Sequence, residues 1–333
     1  MESAQESPRH RRWVIYRRPG WSGPRPCWPT REAKIRLGKH EAQTGDRRRE
    51  VNRHEPDAMV KTRGDAAKRE EIRMQLGHHQ MTWTGYWKEH GIAWDMDRFL
   101  SEVKEAGYDA IEMGGDAEAL GPAEALAKKV ADHGLKVVAW GVHVTANPWP
   151  PNTQEYRRAL DYAAAMGVNM LAVCGGFLGR PFRAMFDSDY KLFAENLRSA
   201  AEYGKQYHQT LAFHPHCGCM VETQAEVERL LAFMPELDLL VDTGHLIAVR
   251  SDPIALMLKY PRKIKHVHLK DWDPGTNKFM EPGRGSAGLN FAAIVATLRQ
   301  IEYGGPLVVE RDDPPRPALE SAKISRAFLK TVL

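Results

Sequence analysis

At 333 residues and 43% hydrophobic content, the chain is long enough to bury a large core, in one large domain or two. Its net charge of +4 is unevenly spread: residues 1–73 carry 19 basic and 11 acidic side chains, a net of +8, and the remaining 260 residues carry 28 and 32, a net of −4. The basic balance therefore says little about the ligand of the main body. No apolar run approaches the roughly 20 residues of a membrane span. Four cysteines without a CxxC spacing (Cys27, Cys174, Cys217, Cys219) argue against a disulfide framework and for a reducing cytoplasm.

Residues 1–73 hold Arg11-Arg12, Arg17-Arg18 and Arg47-Arg48-Arg49, scattered prolines and no sustained helical or strand period. Such a composition buries too little apolar surface to offset ordering, so a disordered extension is expected. A nucleic-acid-binding arm would use the arginines on phosphates, but Trp13, Trp21 and Trp28 without a fold fit that poorly. Eleven acidic residues disfavour a transit peptide, and no apolar h-region marks a signal peptide. A non-essential extension is the simplest reading, with Met59 and Met74 as plausible starts. Residues 74–333 are then the catalytic domain.

From Met74 a β–α alternation sets in. Gln75–Trp83 reads as a strand, followed by a helix over Asp95–Ala106. A strand over Asp109–Gly114 and a helix over Pro122–His133 come next, then a strand over Lys136–Val142. A Pro-rich loop, Asn147 to Pro151, leads into a helix over Thr153–Met166 and a strand over Asn169–Cys174. A longer loop precedes a helix over Asp189–His208. Strands at 210–216, 238–242, 264–270 and 306–310 then alternate with helices at 223–233, 253–260, 290–301 and 316–332. The signals are glycines at helix ends and apolar strand runs. Eight βα units in about 260 residues match a (β/α)8 TIM barrel. A doubly wound open sheet is the alternative, but no GxGxxG follows the first strand.

In a barrel, polar residues at the C-terminal strand ends read as catalytic. Four strands end this way. Leu211-Ala212-Phe213 runs into His214-Pro215-His216, whose i, i+2 spacing puts both imidazoles on one face. Leu239-Leu240-Val241 runs into Asp242, with His245 three residues on. His266 and His268 share a face of the seventh strand; His268 is expected at the mouth and His266 one layer deeper, with Lys270 continuing that face and Asp271 pointing away. Leu307-Val308-Val309 ends in Glu310, a buried carboxylate that is costly unless paired or metal-bound. Two histidines and two carboxylates make a mixed N/O set suited to Mn²⁺, Co²⁺, Fe²⁺, Zn²⁺ or Mg²⁺. Glu112 and His143 read equally as structural or functional, and only one of His78 and His79 can face inward. Gly283-Arg284-Gly285 is a weak signal for a polyol or anion contact through Arg284. Trp149, Phe177, Phe182 and Trp272 are pocket-wall or core aromatics.

The run HPHCGCMVET, VDTGHL, KHVHLKD, EPGRGSAGLNF and LVVERDD resembles the sugar phosphate isomerase/epimerase group of xylose isomerase-like TIM barrels, and within it the inosose dehydratase-like members. The resemblance covers about residues 75–333. It implies a divalent metal (Mn²⁺, Co²⁺, Mg²⁺ or Zn²⁺) held by His214, Asp242, His268 and Glu310, and substrate contacts from His216 and His245. One departure matters: ketose epimerases of the group carry Glu where this chain has His214, so a two-Glu proton shuttle cannot be assumed. The implied chemistry is proton abstraction next to a carbonyl of a small sugar or polyol ketone, with Glu310, His216 and Lys270 as acid/base candidates and Glu112 in reserve. Dehydration or isomerisation is expected; a ketose 3-epimerase or hydroxypyruvate isomerase-like activity is the alternative. A metal-dependent endonuclease of the superfamily would need more ligands and a basic face, which the body's net −4 argues against. A non-catalytic sugar-binding protein would not need this ligand set. Oligomeric state stays open, homo-oligomers being common among soluble enzymes.

Overall fold

The computed structural model describes residues 74–146, 149–177, 185–312 and 314–333. The expectation for residues 1–73, and that for Phe182, lie outside these. Strand β1 (Leu76–His79) leads into α1 (Met81–Glu89) and α2 (Met96–Glu105), and β2 (Ala110–Gly114) into α3 (Ala117–Leu120) and α4 (Ala123–Asp132). Strand β3 (Lys136–Val144) precedes α5 (Thr153–Ala165), β4 (Met170–Gly175) precedes α6 (Asp187–Gly204), and β5 (Thr210–Phe213) precedes α7 (Gln224–Phe233). Strand β6 (Asp238–Asp242) continues into α8 (Thr243–Ala248) and α9 (Pro253–Lys259). Strand β7 (Ile264–Leu269) is followed by a hairpin, β8 (Asp271–Asp273) and β9 (Lys278–Met280), and then α10 (Phe291–Gln300); β10 (Leu307–Val309) leads to α11 (Ala318–Leu329). No helix among the described residues is long and apolar enough to cross a membrane.

Eight strands close in the order β1-β10-β7-β6-β5-β4-β3-β2, every neighbouring pair parallel. This is the expected (β/α)8 barrel. Local chemistry explains its boundaries. The Asp95 carboxylate caps α2 by accepting from the Arg98 amide, and Thr223 with Glu226 forms a capping box on α7. Gly134 and Gly167 end α4 and α5 at φ +66° and +73°, where a side chain would be strained. Inside the barrel, Ala139, Ala172, Ala212 and Leu240 form a separate small cluster with Met170. Branched side chains usually fill such layers; the alanines leave width for larger polar groups.

The structure differs from the expectation in four places. The first strand stops at His79, and Met81–Glu89 is helical, because Trp83 and Trp87 at i, i+4 form one buried face against Phe99 and Trp94. The fifth strand ends at Phe213 rather than 216; only the His214 amide continues the ladder, donating to the Val173 carbonyl at 2.7 Å. Helix α8 follows β6 without a loop, since the Asp242 carboxylate accepts from the His245 amide at 2.9 Å. The β8/β9 hairpin fills what reads as loop in the sequence.

Candidate active site

Parallel strands deliver their C-terminal ends to one rim of the barrel, and the polar groups there are buried: His214, Asp242, His245, His268, Lys270 and Glu310 are each at most 7% exposed. His214 Nε2 and His268 Nδ1 each lie 3.5 Å from Asp242 Oδ2, and His268 Nδ1 lies 3.1 Å from Glu310 Oε2. Among the described residues, these four atoms are buried without a hydrogen bond of acceptable geometry. Unsatisfied buried polar atoms cost about 1–3 kcal/mol each, and the four belong to residues of a type and burial that could hold an ion. Ligands 2.0–2.2 Å from a tetrahedral ion sit about 3.4 Å apart, close to these three separations. Two overlapping triads, His214–Asp242–His245 and Asp242–His268–Glu310, have donor atoms within 4.8 Å of one another and share Asp242. A third, Glu112–His266–His268, lies beneath them.

Lys270 runs alongside this set. Its ammonium is 2.9 Å from Glu310 Oε2, 3.0 Å from Asp312 Oδ1, 3.2 Å from His245 Nε2 and 3.5 Å from Asp242 Oδ2, and it sits 4.7 Å from the Phe279 ring centre. Thr243 holds its backbone from both sides, accepting from the Lys270 amide at 3.0 Å and donating to its carbonyl at 2.6 Å. The glycine of Asp-Thr-Gly-His has a steric reason: a Cβ on Gly244 would lie 2.6 Å from Lys270 Cγ.

The charges sort by environment. Burial opposes ionisation of Asp242 and Glu310, yet Lys270 and the surrounding histidines hold both carboxyls well below the usual range. Burial also opposes the Lys270 charge, but Asp242, Asp312 and Glu310 raise it above its ordinary value, so it stays an ammonium. Burial lifts Asp312 to about 6 against the pull of Lys270. Burial would lower His268, but Glu112, Asp242 and Glu310 push it well above 6.5. Burial keeps His214 and His245 low, and burial with His214 and Lys270 holds His216 to about 3.

His216 and His245 pack ring on ring, 3.7 Å between centroids, at the edge of the set. His216 Nδ1 is 2.7 Å from the Cys217 carbonyl, which accepts only; the ring therefore donates there and keeps its lone pair on Nε2. Glu112 Oε2 accepts from His266 Nε2 at 2.6 Å and His268 Nε2 at 2.8 Å. His79 faces inward, 3.4 Å from Glu112 Oε1, whereas His78 packs outward against Trp83 and Tyr108. Arg284 is exposed, and among the described residues no side-chain hydrogen bond or ion pair ties it to the cluster. Its turn has another use: Asp271 accepts from the Gly283 and Gly285 amides at 3.0 Å each. Trp272 is buried against Phe279. Trp149 and Phe177 line a cavity of about 400 Å³ with His143, Asn152 and Glu155. Phe177 bridges the cavity to the rim, with His143 on one side and His216 on the other. Sequence reasoning missed Asp312 as the partner of Lys270, and Phe279, which stands on the unforeseen hairpin. For the latter no local signal existed.

Comparison with known proteins agrees with this architecture. The family model described as xylose isomerase-like TIM barrel matches residues 100–332. The inosose dehydratase of Geobacillus kaustophilus is 30% identical over 274 residues, covering 72% of this chain and 88% of the relative. Among solved structures, an L-ribulose 3-epimerase aligns with a TM-score of 0.63 at 20% identity, over 78% of this chain and 94% of that one. The IOLI protein with a bound zinc atom aligns with the same score at 18% identity, over 78% and 98%. The chain belongs to the xylose isomerase-like TIM barrel family.

Proposed function

We propose that this protein is a divalent-metal-dependent enzyme acting on a sugar or polyol ketone, and that it removes a proton next to the carbonyl to eliminate water. The observation that carries this is the meeting of four buried atoms, from His214, Asp242, His268 and Glu310, that lack a well-formed hydrogen bond, with the Lys270 ammonium beside the two carboxylates. The inosose dehydratase relative and the zinc in the IOLI structure point the same way. A divalent ion held by these four residues would supply a Lewis acid for the carbonyl.

The chain's own groups divide the proton work. His216 presents a lone pair on Nε2 at the rim and takes the α-proton, with Glu310 as the second candidate base. Lys270 is already charged and is the acid: it gives a proton to the departing β-hydroxyl, which leaves as water, and Asp312 stands 3.0 Å away to keep the charge balanced. His245 and His216 form the wall a substrate hydroxyl meets. The ligand set holds one carboxylate fewer than a two-Glu epimerase needs, because residue 214 is histidine. That favours elimination, in which the proton does not return to carbon.

The test is a panel of inososes and ketoses incubated with protein stripped by chelator and then reloaded with Mn²⁺ or Co²⁺. Loss of one water, read by mass spectrometry and dependent on the added ion, is the expected result. A mass-neutral product would make the enzyme an isomerase or epimerase, and full turnover by metal-free protein would end the metal-dependent reading.

A further inference from the structure

We propose that Glu112 is a positioning residue for the metal centre: its carboxylate fixes the tautomer and ring angle of His268 so that Nδ1 alone faces the ion. The inference rests on the reading above that His268 ligates a divalent metal.

Glu112 stands on β2, and β1 and β10 separate it from β7 around the barrel. It is 1% exposed and reaches across the interior to both histidines of β7. A carboxylate accepts and does not donate, so each nitrogen that bonds to it carries a proton. His266 and His268 thus both bear Nε2–H toward Oε2, at 2.6 and 2.8 Å. The other oxygen has its own neighbour. The Met81 amide donates to His79 Nδ1 at 2.9 Å, which leaves the His79 proton on Nε2, 3.4 Å from Glu112 Oε1. Three imidazoles converge on one carboxylate.

Neutral imidazole has one protonated and one bare nitrogen. With Nε2–H committed to Glu112, the nitrogen of His268 that is bare in the neutral ring, and so the one to meet an ion, is Nδ1, the same atom that lies beside Asp242 and Glu310 without a hydrogen bond. The ring would otherwise be free to present either nitrogen. Carboxylate, histidine and ion in line also raise the basicity of the ligating nitrogen. His266 has a matching use. Fully buried one layer below, it holds Oε2 in place with the shorter of the two bonds.

The rival assignment for Glu112, His266 and His268 is a second metal site, since their donor atoms are close enough. Hydrogen bonding decides against it. The nitrogens facing Glu112 are already paired; His266 Nδ1 has no hydrogen bond but is not the nitrogen that meets Glu112, and His268 Nδ1, Asp242 Oδ2 and Glu310 Oε2 are the unpaired atoms that meet one another. One imidazole cannot offer both nitrogens as lone pairs without becoming an anion. The geometry is that of one ion and one carboxylate that aims a ligand.

The experiment combines two readouts on the full-length protein. In the first, Co²⁺ is titrated calorimetrically into wild type, Glu112→Gln and His214→Ala, with visible absorption recorded at saturation. Glu112→Gln is expected to weaken binding about 10–100-fold, as loss of an outer carboxylate does, while keeping the wild-type Co²⁺ band positions; His214→Ala changes the bands because a ligand is gone. Wild-type affinity in Glu112→Gln, or bands altered as in His214→Ala, overturns the inference and leaves the metal reading intact. A wild type that takes up no Co²⁺ overturns both. The second readout needs no variant, so it stands even if Glu112→Gln does not fold. Imidazole ¹⁵N spectra of the Zn²⁺-loaded wild type should show His268 with Nδ1 ligated and a slowly exchanging proton on Nε2. Ligation through Nε2 would refute the inference.

Discussion

The contact between Gly244 and Lys270 allows a sharp test of where the buried ammonium lies. In Gly244→Ala the new methyl would stand 2.6, 2.8 and 2.9 Å from Lys270 Cγ, Cβ and Cδ. Carbon atoms pack at about 3.5–4.0 Å, so the overlap is close to 1 Å against three atoms at once. Lys270 has no room to yield, being fully buried with its ammonium tied to Glu310 at 2.9 Å and Asp312 at 3.0 Å. Forcing a methyl into such packing costs about 1–3 kcal/mol. Alanine in a helix returns part of that, at most about 1 kcal/mol, leaving a net loss of about 1–2 kcal/mol. For a domain of this size that lowers the melting temperature by roughly 2–8 °C. Turnover should fall further than stability, because relief of the clash moves the ammonium away from Glu310. Calorimetry and a turnover assay measure both. Adding Lys270→Ala removes two of the three clashing atoms, so the double variant should be more stable than the two single losses summed. Gly244→Ala with unchanged stability and full turnover would show that the lysine stem does not run where the structure puts it.

Three other outcomes are expected. His214→Ala should lower bound metal, measured by elemental analysis after dialysis; unchanged occupancy would place the ligand set elsewhere. Metal uptake should release about one proton at neutral pH. His268 is raised in the metal-free protein and must lose its Nδ1 proton, whereas Asp242 and Glu310 are lowered as acids and His214 as a base, so all three already stand ready. Affinity therefore falls as pH drops below the metal-free pKa of His268, by about tenfold per pH unit. Calorimetry in two buffers of different ionisation enthalpy reads the proton, and a pH-independent affinity would contradict the assignment. A chain starting at Met74 should melt and turn over like the full-length protein, because the barrel closes within Leu76–Val309; loss of either property would give residues 1–73 a structural role.

The residues most legible from the sequence were those whose position follows from strand parity. An apolar run that ends in a polar side chain leaves that side chain at the rim, and parallel strands bring all such ends to one rim; so His214, Asp242, His268 and Glu310 could be grouped across almost one hundred residues of chain. The same parity placed His266 a layer below His268 and Lys270 above it. Features without a period were not legible. The α1 face is made of tryptophans in a segment, Thr-Trp-Thr-Gly-Tyr-Trp, whose composition favours strand, and only the packing of Trp83 and Trp87 against Phe99 and Trp94 makes it a helix. Asp242 reads equally as a rim carboxylate and as a helix cap, and it is both: Oδ1 accepts from the His245 amide while Oδ2 faces His214 and His268.

Glu112 shows most clearly what a sequence leaves out. From the strand pattern it is one more polar residue at a rim, a reserve candidate for proton transfer. What separates it from Glu310 is the partner of each oxygen. Glu310 faces His268 Nδ1 with an Oε2 paired only to the Lys270 ammonium, while Glu112 spends Oε2 on the Nε2–H groups of His266 and His268. Two glutamates facing different nitrogens of one imidazole thus differ in their partners, Glu310 meeting Nδ1 and Lys270, Glu112 meeting Nε2 and His266. That difference is set by which nitrogen of His268 each faces, a three-dimensional relation between β2, β7 and β10 that no spacing along the chain encodes.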